Sequence, residues 1–101
     1  AEIDKQSSKG DTALMCAARY DHERAVELLL QHGANANLQG GNGDTALMDA
    51  ALYGHERVVD LLIRHDAEVN LLSSEGGTAL MVAAHHGHER VVELLSSEGG
   101  T

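Results

Sequence analysis

Apolar residues fall in two short bursts, and the spacing within each is that of a helix face. Ala46, Leu47, Ala50 and Ala51 form the first, and Val58, Val59, Leu61, Leu62 and Ile63 form the second. Turn-forming residues bound them. Gly41-Asn42-Gly43-Asp44 stands before the first burst and Gly54 between the two. The pattern predicts a first helix from about Thr45 to Tyr53, with the Thr45 hydroxyl as its cap and Gly54 as its left-handed end. A second helix is expected from about Glu56 to Arg64.

The same pair of bursts occurs three times. Thr12-Ala13-Leu14-Met15, Thr45-Ala46-Leu47-Met48 and Thr78-Ala79-Leu80-Met81 lie 33 residues apart. Ala17-Ala18, Ala50-Ala51 and Ala83-Ala84 keep this register. So do His22-Glu23-Arg24, His55-Glu56-Arg57 and His88-Glu89-Arg90, and the pairs Leu28-Leu29, Leu61-Leu62 and Leu94-Leu95. Asp21 replaces the glycine seen at Gly54 and Gly87, and Asp is among the residues that tolerate a left-handed cap. A unit of about 33 residues is too small to bury its own apolar face, so such units stack into a solenoid.

Composition narrows the core. Hydrophobic residues are 43% of the chain but aromatics only 2%, with no Phe, Trp or Pro. A core of Ala, Leu, Val and Met suits closely packed short helices. All three methionines occupy one slot of the repeat, which predicts a packing ladder between neighbouring units. The net charge of −9 lacks the basic footprint that binding to nucleic acid or an anionic membrane requires. Cys16 is the only cysteine, so no internal disulfide can form. This fits a reducing, intracellular and cytoplasmic setting.

These units resemble the ankyrin repeat, whose pattern holds a T-P-L-H-x-A phrase and a later G-A-D-V-N tail. Gly33-Ala34-Asn35-Ala36-Asn37 is similar to that tail, and Asp66-Ala67-Glu68-Val69-Asn70 is similar with Asp in place of Gly. Ala13, Ala46 and Ala79 stand where the family has Pro, and Met15, Met48 and Met81 where it has His, so the family's Thr–His hydrogen bond should be missing. The resemblance implies an all-α, ankyrin-type solenoid of helix-turn-helix units joined by hairpin-like fingers. It divides the chain into the tail of a preceding repeat (residues 1–6), units at 7–39 and 40–72, and a shortened or truncated unit at 73–101. Leu94-Leu95-Ser96-Ser97-Glu98-Gly99 duplicates Leu71-Leu72-Ser73-Ser74-Glu75-Gly76 out of register. No polar capping unit is recognisable, and uncapped ends favour end-to-end association.

By resemblance, a partner protein or peptide binds the concave face of fingers and first helices, and the residues that vary between units are the candidates. On the fingers these are Lys9, Asp11, Asn42, Asp44 and Glu75. On the first helices they are Arg19, Tyr20, Asp49, Leu52, Tyr53, His85 and His86. Tyr20, Tyr53 and His86 form a row at one slot, and Tyr is favoured in binding hot spots. Leu52 is expected to be exposed beside Tyr53. Asn37 and Asn70 also resemble the family's asparaginyl hydroxylation acceptors.

Chemistry beyond binding finds little footing. Adjacent His85 and His86 diverge by about 100° on a helix and His88 follows its end, so no metal set converges. Gly40-Gly41-Asn42-Gly43 is not followed by the Lys-Ser/Thr of a phosphate loop. No nucleophile–base pair is visible, and no cofactor, metal or catalysis is expected. The leading reading is a non-catalytic interaction scaffold. The alternatives are a self-assembling structural segment or the targeting segment of a larger enzyme.

Overall fold

The structure, a computed structural model, describes residues 2–99. Six helices run in pairs: α1 (Ala13–Arg19) with α2 (Glu23–Gln31), α3 (Ala46–Leu52) with α4 (Glu56–Arg64), and α5 (Ala79–His85) with α6 (Glu89–Gly99). No strand forms among the described residues. The first helices pack as one layer, α1 on α3 and α3 on α5, and the second helices form the other, α2 on α4 and α4 on α6.

Each first helix begins at the repeated threonine. The Oγ1 atoms of Thr12, Thr45 and Thr78 accept the backbone N–H of Met15, Met48 and Met81 at 3.2, 3.2 and 3.3 Å. These bonds satisfy donors that a helix start leaves open. The methionine that replaces the family's histidine also contributes: Met15 Sδ accepts the Thr12 N–H at 3.4 Å, completing a reciprocal cap. Each first helix then ends at a left-handed residue, Asp21 at φ 61°, Gly54 at 71° and Gly87 at 73°. The second helix of the middle unit spans Glu56–Arg64, as its apolar spacing predicts.

The core is a seam between the layers, built from Leu14, Met15, Val26, Leu47, Met48, Val58, Val59, Leu62, Val91 and small alanines. Alanine lets the first helices approach closely. The methionine ladder is only partly as expected. Met15 and Met48 are 2% and 3% exposed, whereas Met81 is 58% exposed. The difference is positional, because α3 covers the first-unit methionine, α5 covers the second, and no described helix packs beyond α5.

Hairpin-like fingers join the units. Ser7, Gly40 and Ser73 each donate a backbone N–H across a tight turn, to the carbonyls of Asp11, Asp44 and Gly77 at 2.9, 2.8 and 2.9 Å. Adjacent fingers are tied as well, with Gly41 N–H donating to Lys9 O (3.1 Å) and Ser74 N–H to Asn42 O (3.0 Å). The duplicated hexapeptide splits in two. Residues 71–76 form a finger, but residues 94–99 continue α6 as helix, so no new finger starts there.

A candidate protein-interaction face

Two grooves open between the fingers and the first helices. The first, at the junction of units one and two, encloses about 460 Å³ and is lined by Lys9, Asp11, Arg19, Asn42, Asp44, Asp49, Leu52, Tyr53 and the Gly40-Gly41 turn. The second, between units two and three, encloses about 380 Å³. It is lined by Asp44, Met48, Asp49, Leu52, Ser73, Glu75, Gly77, Met81, Val82, His85 and His86. Asp44, Asp49 and Leu52 belong to both, so the grooves are continuous. The 33-residue register produces this grouping, because equivalent positions stack from unit to unit along the layer.

Of the twelve sequence candidates, only Tyr20 lies outside both grooves. It caps the end of α1, is exposed, and leans toward His22 with ring centroids 6.5 Å apart. Tyr53 holds the equivalent place on α3, stacked on His55 at 5.9 Å, and does reach the first groove. Leu52 is half-buried rather than exposed, because α3 is flanked on both sides.

Electrostatics organise the first groove. Arg19 places its guanidinium on both carboxylate oxygens of Asp11 (3.0 and 3.4 Å) and also donates to Asp49 Oδ2 at 3.3 Å. This forked contact is the strong form of an ion pair. The hydrogen bond to Asp11 holds the Arg19 proton more firmly than usual, and the Asp49 and Asp11 charges add to it against the cost of burial. Asp49 is buried, and that burial pushes its carboxyl up to about 6 despite Arg19, with Asp44 and Asp11 adding to the rise. Burial and the nearby Glu75 raise Asp44, and Arg19 partly offsets them.

Histidines that recur in the sequence tie units together. His55 Nε2 meets the Arg19 carbonyl and His88 Nε2 the Leu52 carbonyl, both at 2.9 Å. Each satisfies a carbonyl at the end of the preceding unit's first helix. His88 is therefore committed to the scaffold, and His85 and His86 meet edge to face at 4.9 Å. No group of three or more His, Cys, Asp or Glu is arranged to hold a metal ion among the described residues.

Further cross-unit bonds went unread in the sequence. Gln6 Nε2 donates to Gly10 O and Gln39 O (2.9 and 3.0 Å), and Gln39 repeats this to Gly43 O and Leu72 O (2.8 and 2.7 Å). Their 33-residue spacing is a visible signal, and Leu72 at the next equivalent position ends the series. Asp4 and Asn37 likewise accept the backbone N–H of Asn35 and Glu68 at 2.8 and 2.7 Å. Asn37, one of the two asparagines similar to hydroxylation acceptors, is thus engaged in inter-unit bonding.

A family model described as ankyrin repeats (3 copies) matches residues 1–73 and 33–101. The chain belongs to the ankyrin-repeat family. Members are generally protein–protein interaction modules and are typically non-catalytic. Among curated proteins none matches this chain. No helix of this ankyrin-repeat chain is long and apolar enough to cross a membrane, among the described residues.

Proposed function

We propose that this ankyrin-repeat chain is a non-catalytic scaffold whose concave face of fingers and first helices binds a peptide or a folded protein. The observation that carries the reading is the continuity of the two grooves. Residues that vary between units surround one open channel, while the repeated Thr, Leu, Ala and His residues are spent on caps, core and cross-unit bonds. Variation where a partner would lie and constancy where the scaffold is built is the pattern a binding surface needs. Leu52 and Tyr53 supply the apolar and aromatic contact area on which hot spots depend. The units run over residues 7–39, 40–72 and 73–101, and the exposed lone thiol of Cys16 suits a reducing cytoplasm.

Peptides selected from a random display library on the chain test this. Leu52→Ala/Tyr53→Ala should weaken the selected binders by about tenfold or more, in line with hot-spot losses. Arg24→Ala/Arg57→Ala, on the outer helices, should leave them unchanged. The reverse pattern would move the binding surface to α2 and α4.

A second reading is head-to-tail association. Leu80 and Met81 are 38% and 58% exposed, whereas Leu47 and Met48 at the equivalent positions are buried. An open apolar face of this kind can be covered by another copy. Sedimentation velocity across a dilution series should then show mass growing with concentration, and Met81→Glu should abolish that growth. A constant monomer mass would remove this reading.

A further inference from the structure

The 33-residue register lets the two grooves be compared slot by slot. Arg19 in the first unit corresponds to Leu52 in the second and His85 in the third. Asp11 corresponds to Asp44 and Gly77, and Lys9 to Asn42 and Glu75. At the first junction the wall of the groove carries its own cation, since Arg19 sits between Asp11 and Asp49. At the second junction the Asp11 slot is kept as Asp44 while the arginine slot has become Leu52. In addition, Glu75 stands in the second groove where the first has the neutral Asn42. Asp44 and Glu75 therefore line the same groove as like charges, with no Lys or Arg lining it. Burial and then Glu75 raise the proton affinity of Asp44, and Arg19 in the first groove partly offsets them. Leu52, Val82 and Met81 add apolar lining to the groove, and His85 and His86 line it as well.

Resting on the reading above, we infer that the groove between units two and three takes an arginine side chain from a basic partner segment. Its guanidinium lies against Asp44 and Glu75, and a neighbouring apolar residue lies on Leu52 and Val82. Two observations converge on this occupant. The groove has an acidic and apolar lining on a chain of net charge −9, so charge complementarity selects a cation. Independently, the equivalent groove of the same molecule already holds a guanidinium on the equivalent aspartate, in forked contact at 3.0 and 3.4 Å. Arginine is preferred to lysine because its planar fork matches a carboxylate and its weakly hydrated face tolerates an apolar lining.

The test is titration of the ¹⁵N-labelled 101-residue chain with a blocked Leu-Arg-Leu peptide. Counterparts carry lysine, citrulline or glutamate in place of the arginine. The arginine peptide should shift the amide resonances of Asp44, Leu52, Glu75 and Val82. Neutral citrulline, which keeps the shape without the charge, should bind about tenfold more weakly or not at all. Glu75→Gln, an exposed change that leaves the core untouched, should weaken the arginine peptide several-fold. Leu52→Arg places an internal guanidinium at the position equivalent to Arg19 and should block the peptide while circular dichroism stays unchanged.

Equal binding of the citrulline and arginine peptides overturns the inference. So do shifts reproduced by millimolar CaCl₂ without peptide, which would make the site one for inorganic cations. Shifts confined to Lys9, Asn42 and Tyr53 and insensitive to Leu52→Arg would sink this inference but leave the interaction scaffold standing. Shifts confined to α2 and α4 would overturn both.

Discussion

The second and third units are written in nearly the same letters, yet of the two only the second has a neighbouring helix pair on each side among the described residues. Leu47 and Met48 are 1% and 3% exposed, and their counterparts Leu80 and Met81 face water. Thr45 is buried and Thr78 only partly so, although both cap a helix through the same bond. What separates them is the presence of α5 against α3 and the lack of a described helix against α5. A repeat residue thus has no fixed energetic value. Its contribution is set by the interface term with the next unit, as expected for a quasi-one-dimensional array.

Paired substitutions can break this comparison, and the core pair should show the largest effect. Leu47→Ala is expected to cost about 3 kcal/mol and Leu80→Ala under about 1 kcal/mol, because only the first leaves a buried cavity. Urea denaturation followed by circular dichroism measures both. Equal costs would mean that the exposed face of α5 is covered in solution, the outcome that head-to-tail association requires.

The finger glycines come next. Gly43 and Gly76 share a positive φ of 75° and 82°, so the backbone strain of an alanine is common to both. A Cβ on Gly43 would fall 2.5 Å from Ser74 N, whereas at Gly76 it meets nothing within 4 Å. Gly43→Ala should therefore be the more destabilising by about 2 kcal/mol, the usual cost of overpacking. The same denaturation experiment reads it.

The cross-unit histidines give a smaller difference. His88→Ala removes the bond to the Leu52 carbonyl and should cost about 1 kcal/mol. His22→Ala, at an exposed position with no helix pair before it among the described residues, should cost close to nothing.

The subtlest contrast concerns one carboxylate. Asp49 occupies a slot that is Cys16 in the first unit and Val82 in the third. Burial lifts its carboxyl from 3.8 to about 6. Between these values the folded chain holds a proton that the unfolded chain has released, so stability should fall as pH rises through that window and level off above it. Asp49→Asn should flatten that fall, as measured by the denaturation midpoint at pH 4, 5, 6 and 7. An unchanged pH profile would show that the group titrates normally.

How much of this was readable beforehand follows the same division. The helix limits, the threonine caps and the left-handed Asp21 and Gly54 all come from local letters repeated at 33 residues, and the structure keeps them. The gathering of variable positions into one channel also follows from register. Features that depend on what lies alongside were harder to see. Tyr20 and Tyr53 are identical residues in identical slots, but only Tyr53 lines a groove. The burial of Asp49 and of half of Leu52 is imposed by flanking helices. The Gln6 and Gln39 bonds were signalled by their spacing, yet which carbonyls they reach is a matter of how fingers stack.

The hexapeptide Leu-Leu-Ser-Ser-Glu-Gly occurs as a finger at residues 71–76 and as the last part of α6 at residues 94–99. Its intrinsic preference is evidently too weak to decide between the two, so the deciding energy comes from the stretch upstream. After Val69-Asn70 it arrives already detached from a helix, and after Val91-Val92-Glu93 it inherits one. Material spliced in behind Leu95 would consequently be received on a rod rather than on a bend, and its heading would be set about one and a half turns earlier than the letters at the seam suggest.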